Sequence, residues 1–84
     1  MKTHGLSKTK EYFIWTRMKQ RCYNPKSSDY MHYGGRGIRV HPDWICSFEQ
    51  FIEDMGPRPT SLHTIDRIQV NGNYEPNNCR WATR

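Results

Sequence analysis

Apolar residues recur at helical spacing in the first quarter of the chain. Within residues 9–22, the apolar positions that share one helical face are Ile14, Trp15, Met18 and Cys22. This periodicity predicts an amphipathic helix over that range. The helix should end at Asn24, because a residue that precedes proline, here Pro25, avoids the α conformation.

A second apolar stripe predicts a helix over residues 47–55. Its members follow the i, i+3, i+4, i+7 pattern and are Phe48, Phe51, Ile52 and Met55. Ser47 and Gln50 have the spacing of a capping box at the start of this helix. Gly56, which is followed by a proline, is the expected stop.

Alternation of apolar and polar residues predicts strands elsewhere. Residues 62–70 alternate imperfectly and should form a strand, with a tight turn at Asn71 and Gly72 after it. Residues 38–40 are a second candidate strand, and residues 79–81 form either a short return strand or the first turn of a helix. The pattern predicts an α+β fold in which two helices pack on a small antiparallel sheet.

Size and composition fit one small domain stabilised by aromatic residues. The chain has 84 residues, of which 35% are hydrophobic and 13% aromatic, so a few large rings must supply much of a thin core. We expect residues 9–84 to form this domain, preceded by a flexible arm at residues 1–8. The tryptophans at positions 15, 44 and 81 stand in separate segments, which predicts that their rings meet in the core.

The chain carries no sequence feature typical of membrane insertion or export. No apolar run approaches the roughly 18 residues that a membrane helix needs, and the first residues lack the apolar segment of a signal peptide. The cysteines are scattered and number three, which indicates reduced thiols and not a disulfide framework. We therefore expect no membrane partner and a cytoplasmic location.

Charge is distributed unevenly along the chain, whose net charge is +5. Residues 1–40 carry nine Lys and Arg side chains against two acidic ones, whereas residues 41–84 carry four against six. A basic half on a small domain favours a polyanionic partner, most simply nucleic acid, and a merely solubilising surface is the alternative. The candidate phosphate contacts on the first helix and in the glycine-rich loop after it are Lys10, Arg17, Arg21, Arg36 and Arg39.

Several unusual motifs occur in one order along nearly the whole chain. They include WTRMKQRCYNP from Trp15, YGGRGIRV from Tyr33, DMGPRP from Asp54 and TIDRIQVNGNYEPNNCRWAT from Thr64. Together they resemble a family of small phage and mobile-element proteins described as HNH-endonuclease-like or AP2-domain-like. The resemblance implies DNA as the ligand, a bacterial host, and a partial His-Me-finger-like ββ(α) half at the C-terminal end. Relatives usually continue past the Trp-Ala-Thr segment, so we expect a trimmed or repurposed form of the motif.

The resemblance also implies a candidate catalytic site. An HNH motif sets an acidic metal ligand and a histidine general base around Mg²⁺, which stabilises charge on the phosphate. Asp66 matches the acidic position, and Arg67 stands where the histidine would be. Because a guanidinium stays protonated, Arg67 can clamp a phosphate, as Arg80 can, but cannot act as the base. His63 would share a strand face with Arg67 and is the candidate base; a structural Asp-Arg contact across the sheet is the alternative.

A structural zinc site is a further candidate. Its ligands would be Cys22, His41 and Cys79, with His63 or Cys46 as the fourth. Relatives often carry cysteine at the position of His41, and exchange of cysteine for histidine preserves tetrahedral zinc binding. The alternative is that the cysteines are free thiols packed in the core.

Two classes of function follow from these patterns. The first is a phage-type DNA-binding protein of the HNH-nuclease-like group, with at most weak Mg²⁺-dependent cleavage of double-stranded DNA. The second is a binding module without catalysis, such as a phage-encoded, anti-CRISPR-like inhibitor of a host defence protein. Arg67 in place of the histidine favours the second class, and the basic charge favours the first.

Overall fold

The computed structural model describes residues 9–83, and the predicted arm at residues 1–8 lies outside them. The chain is of the α+β class, as predicted, with helices α1 (Lys10–Tyr23), α2 (Pro42–Ile45) and α3 (Phe48–Met55) and strands β1 (His63–Arg67) and β2 (Cys79–Thr83). Short 3-10 turns are formed by Tyr30–His32, Gly34–Arg36 and Pro76–Asn78. None of the helices in residues 9–83 has the length and apolar content needed to cross a membrane.

The first helix follows its predicted bounds to within one residue at each end. The Thr9 hydroxyl caps it by accepting a hydrogen bond from the backbone N–H of Tyr12 at 3.2 Å. Asn24 is extended, with φ −105° and ψ 106°, and ends the helix before Pro25. The buried face of α1 carries Trp15, Met18 and Cys22.

The second predicted helix is also present and is capped at both ends. The Ser47 hydroxyl accepts from the backbone N–H of Gln50 at 3.1 Å, and Gly56 ends α3 with a φ of 73°, where glycine is favoured. The Gln50 amide donates to Asp54 Oδ1 at 3.1 Å. Asp54 also accepts from Trp44 Nε1 at 2.8 Å, so α3 fixes the tryptophan of α2.

The sheet has two antiparallel strands, and β2 resolves the open alternative at residues 79–81 in favour of a strand. Its register sets Asp66 opposite Arg80 and Arg67 opposite Cys79. The first strand is shorter than the predicted range 62–70, and residues 68–78 join the strands.

The predicted tight turn at Asn71 and Gly72 is not a two-residue hairpin. Such a hairpin turn requires positive φ, and within residues 9–83 only Gly37 and Gly56 have it. The chain turns earlier instead, with Gly72 N–H donating to the Gln69 carbonyl at 2.9 Å.

Asn78 organises the segment between the strands. Its side-chain carbonyl accepts from Gln69 N–H at 2.8 Å, and its amide donates to the carbonyls of Gln69 at 3.1 Å and Asn73 at 2.9 Å. The side chain is buried, so these bonds replace those that water would make. This long-range bracing explains why the local Asn-Gly pattern did not determine the turn.

The strand predicted at residues 38–40 does not form. Val40 makes a single parallel bridge with Tyr74, whose N–H donates to the Arg39 carbonyl at 2.9 Å and whose carbonyl accepts from His41 N–H at 2.7 Å. The alternation itself is present, because Ile38 and Val40 are buried and Arg39 is exposed. The segment pairs with an irregular loop and not with a second strand, so no ladder develops.

Aromatic side chains connect the elements through the core. Trp15 Nε1 donates to the Trp44 carbonyl at 2.7 Å, which ties α1 to α2. Phe51 meets the rings of Trp44 and Trp81 edge to face, at 4.9 and 6.2 Å between ring centres. Trp81 Nε1 donates to the Gly56 carbonyl at 3.0 Å. Trp15 and Trp44 are buried, as predicted, and the half-buried Trp81 packs against the same core.

Candidate nucleic-acid interface

Two tyrosines from distant parts of the chain stack beside α1. The rings of Tyr33 and Tyr74 have centres 6.2 Å apart and planes 23° apart. Tyr33 stands between the two consecutive 3-10 turns of the glycine-rich loop. Tyr74 is only 3% exposed and is fixed by the backbone bonds of its bridge to Val40.

Two arginine side chains lie against these rings. The guanidinium carbon of Arg21 is 5.0 Å from the centre of Tyr33 and 5.8 Å from that of Tyr74. That of Arg67 is 5.2 Å from both. Each contact is within the range of a cation–π interaction. We call Arg21, Arg67, Tyr33 and Tyr74 the arginine–tyrosine cluster.

Hydrogen bonds hold both guanidinium groups in place. Arg21 Nη2 donates to the Tyr74 hydroxyl at 3.1 Å, and Arg67 Nη1 donates to the Gly72 carbonyl at 2.9 Å. Burial raises the pKa of the Tyr74 hydroxyl, an effect that the neighbouring Arg21 opposes. The phenol is therefore neutral at physiological pH and accepts the bond from Arg21 without cancelling its charge.

The charges of the cluster are not neutralised by acidic side chains. Within residues 9–83, the ion pairs closer than 4 Å join Asp66 to Arg80 and Asp43 to His41, and neither includes Arg21 or Arg67. Arg21 Nε is buried and has no hydrogen-bond partner among the described residues. Neither guanidinium group is therefore neutralised by a carboxylate of the described residues.

An open cleft of about 400 Å³ lies beside the cluster. Its lining includes Arg17 and Arg21, one turn apart on α1, both tyrosines of the cluster, and Thr64 of β1. Asp29 is also in the lining. Arginines predominate over this single carboxylate, so the cleft favours a phosphate or another oxyanion.

Arg36 and Arg39 lie on the glycine-rich loop and are exposed, as expected for phosphate contacts. Arg36 donates to the side-chain carbonyl of Asn71 and to the His32 carbonyl, the latter at 3.1 Å. Arg39 Nη1 donates to the carbonyls of Gly34 at 3.3 Å and Ile38 at 3.1 Å. Arg36 therefore joins this loop to the segment that follows β1.

The loop can approach α1 because Gly34 has no side chain. A Cβ atom at this position would lie 2.1 Å from the Cys22 carbonyl oxygen and 2.5 Å from Cε1 of Tyr30. Both distances are shorter than side-chain contacts allow. The sequence therefore needs glycine here to bring Tyr33 against Arg21.

The candidate catalytic residues do not converge. Directly opposed residues of an antiparallel pair share a face, so Asp66 and Arg80 lie on one face and Arg67 and Cys79 on the other, which faces the core. Arg80 Nε is 3.0 Å from Asp66 Oδ2, which is the structural contact across the sheet that was the alternative at Asp66. His63, by alternation, lies on the face opposite to Asp66. Its Nδ1 is 2.8 Å from Thr60 Oγ1.

The candidate zinc ligands each have other surroundings in the fold. Cys22 and Cys79 are buried in the hydrophobic core, whereas His41 Nε2 lies 3.5 Å from Asp43 Oδ2. Burial raises the pKa of Cys22, and raises that of Cys79 to about 11, so both are protonated thiols at physiological pH. Residues 9–83 contain no group of three or more His, Cys, Asp or Glu side chains placed to hold a metal ion. The arrangement gives the zinc and Mg²⁺ predictions no support.

The sequence indicated the arginines of the interface but not what surrounds them. Lys10 is exposed in the first turn of α1, about 10 Å of helix rise away from Arg17. Tyr74 was not a candidate, because its role depends on Arg21, 53 positions away in the chain. Tyr33 is half-buried, and its ring is in contact with both guanidinium groups.

The chain matches no protein-family model, no curated protein and no solved structure. Its likeness to HNH-like proteins therefore rests on the motifs quoted above. The function has to be argued from the geometry and charge of the arginine–tyrosine cluster and its cleft.

Proposed function

We propose that this protein binds duplex DNA through the arginine–tyrosine cluster and the arginines beside it. The observation that carries the proposal is the pair Arg21 and Arg67, held on two stacked tyrosines and free of carboxylate partners within 4 Å, with Arg21 in the wall of an open cleft. Arg17 adds a third guanidinium to this cleft. Guanidinium groups match the oxygen geometry of phosphate and bind it in a bidentate manner.

Preorganisation supports this proposal over a merely solubilising surface. A solvated arginine loses rotamer entropy when it binds, at a cost of about 0.5–1.5 kcal/mol for each side chain that is immobilised. Arg21 and Arg67 are already oriented by rings and hydrogen bonds, so this cost is largely met in the free protein. Arg36 is similarly fixed by Asn71.

Within the HNH-nuclease-like group, the proposal is binding without efficient cleavage. Asp66 is engaged by Arg80, and the candidate base His63 lies on the other face of β1. A divalent ion and an activated water need ligands and a base around one point. This separation supports binding without a Mg²⁺-dependent cleavage step.

Fluorescence anisotropy of a labelled duplex over a series of salt concentrations tests the proposal. The logarithm of the affinity should fall linearly with the logarithm of the salt concentration, with a slope of about −0.9 for each phosphate contacted. Arg21→Gln and Arg67→Gln should each weaken binding on all sequences and lower the slope by about one. Lys26→Gln is the matched control, because Lys26 is exposed and lies outside the cluster. An affinity that ignores salt, or an equal effect of the control, would overturn the proposal.

A plasmid assay separates binding from cleavage. We expect mobility shift of supercoiled plasmid without nicking in Mg²⁺ or Mn²⁺. Metal-dependent nicking that Asp66→Ala abolishes would instead establish the HNH nuclease activity. Absence of both shift and nicking would favour the second class of function, a module that binds a host defence protein.

A further inference from the structure

Two large aliphatic side chains are exposed immediately after β1. Ile68 is 51% and Val70 is 64% exposed. Single exposed apolar residues are ordinary on protein surfaces. These two differ because they lie on one short segment, residues 68–72, whose backbone is hydrogen-bonded at Ile68, Gln69 and Gly72; we call it the tip loop.

Hydrogen bonds brace the tip loop from the interior. The buried Asn78 bonds both the N–H and the carbonyl of Gln69, the residue between the two aliphatic ones. Ile68 N–H donates to the Asn78 carbonyl at 2.8 Å. Gly72 has no side chain at a point where a Cβ would come within 2.7 Å of Asn78 Nδ2. The loop is therefore held close against Asn78.

Two arginines contact the end of the tip loop. Arg67 Nη1 donates to the carbonyl of Gly72, and Arg36 donates to the side chain of Asn71. The chain has no acidic residue between Asp66 and Glu75. The exposed aliphatic side chains thus lie within a few residues of two arginine contacts, one of them made by Arg67 of the arginine–tyrosine cluster.

We infer that the tip loop inserts an aliphatic side chain, Ile68 or Val70, between base pairs of duplex DNA and bends the duplex. Proteins that bend DNA through the minor groove push apolar side chains between base steps and kink the duplex by about 20–90°. Arginines beside the wedge are attracted by the strong negative potential of a narrow minor groove. The inference rests on the proposed DNA binding and adds to it a mode of engagement.

The braced geometry suits this task. Separation of stacked base pairs consumes free energy, and a loop that had to order itself at the same time would add an entropic cost. The bonds through Asn78 and Gly72 remove that second cost. The two arginines that contact the loop also favour DNA over an apolar protein surface, because a desolvated guanidinium without an anion is unfavourable.

Bending is measured by energy transfer between donor and acceptor dyes at the two ends of a duplex. Unstacking is measured by the fluorescence of 2-aminopurine at central positions of the same duplex. The full chain should bring the ends closer and raise the 2-aminopurine fluorescence as the base is unstacked. The double variant Ile68→Ser/Val70→Ser should abolish both signals. Its affinity should fall by no more than about tenfold, and its salt slope should stay unchanged, since the phosphate contacts remain.

Leu62→Ser is the matched control, because Leu62 is 72% exposed and lies at the other end of β1. It should bend and unstack the duplex as the unmodified chain does. Salt-dependent binding with no bend and no fluorescence rise would overturn the wedge and leave the proposed function standing. The same holds if the double variant bends DNA normally. Absence of any salt-dependent binding would overturn the proposed function itself, and the wedge with it.

Discussion

Arg67 and Tyr74 are in direct contact, with the guanidinium carbon 5.2 Å from the ring centre. Tyr33 lies at the same distance from Arg67. The guanidinium also donates to the Gly72 carbonyl at 2.9 Å. One planar group therefore contacts two aromatic rings and forms a hydrogen bond to one oxygen. A planar cation with several donors can meet these demands together, and a compact ammonium cannot.

Arg67→Lys should therefore weaken DNA binding although the charge is kept. We expect a loss of about three- to tenfold in affinity, since the ammonium loses the flat contact and the fixed orientation. Arg67→Gln, which removes the charge as well, should lose more. Anisotropy titrations of both variants at one salt concentration measure the difference. Wild-type affinity in Arg67→Lys would contradict a role for orientation.

Loss of the contact between Asp66 and Arg80 should strengthen DNA binding. Asp66→Asn removes an acidic group from the interface strand and releases Arg80, so DNA affinity should rise a few fold. The pair is exposed, with 41% and 62% of the two side chains accessible, so the free energy of unfolding should change by less than about 1 kcal/mol. Glu53→Gln, an equivalent charge change on the exposed side of α3, is the control. A fall in affinity that appears only with Mg²⁺ present would point to a metal-ligand role of Asp66.

The helices could be predicted from the sequence because their determinants are local. The apolar stripe, Thr9, Ser47 and Gly56 each act within a few residues of the helix they define. The end of β1 could not be predicted, because it depends on Asn78, which bonds Gln69 across the loop. An Asn-Gly pair favours a hairpin turn only when no such contact competes with it.

The sequence identified the charged residues of the arginine–tyrosine cluster, but it did not predict how they are arranged in space. Arg21 was a candidate from its helical stripe and Arg67 from the resemblance to HNH motifs. Their common support on Tyr33 and Tyr74 joins four separate segments, and no periodicity reports such a contact. The pairing of Asp66 with Arg80 likewise depends on strand register, which residue pattern alone left open.

Gly34 should be intolerant of even the smallest side chain. In Gly34→Ala the new methyl group would overlap the Cys22 carbonyl oxygen, at 2.1 Å, so the loop must move away from α1. We expect a loss of about 2 kcal/mol or more in the free energy of unfolding, together with weaker DNA binding, since Tyr33 moves with the loop. Gly35→Ala is the control, because its methyl group would lie 3.2 Å from the nearest atom, the Tyr30 carbonyl oxygen. Equal stability of the two variants in urea would show that the loop does not need this close approach.

Asn78→Ala should uncouple the tip loop from the fold. The change removes three hydrogen bonds in a buried position, which we expect to lower the free energy of unfolding by about 2–4 kcal/mol. Asn77→Ala, at the exposed neighbouring position, should stay within about 0.5 kcal/mol of the unmodified chain. Thermal and urea unfolding measure both. A small effect of Asn78→Ala would mean that water replaces the lost side chain and that the loop is braced by other contacts.

The buried thiol of Cys79 should make the fold sensitive to alkaline pH. Burial raises its pKa from a usual value of 9.0 to about 11, with smaller opposing and reinforcing effects from neighbouring groups. An acid with a higher pKa in the folded state holds its proton more tightly there, so the unfolded chain loses this proton first as the pH rises. The free energy of unfolding should therefore be independent of this group below about pH 9 and fall between about pH 9 and pH 11. Cys79→Val should flatten that decline, whereas Cys46→Val, at an exposed cysteine, should leave it as it is. Urea unfolding of the three proteins at pH 8 and pH 10 decides the matter, and an equal decline in all three would show that Cys79 is not the group responsible.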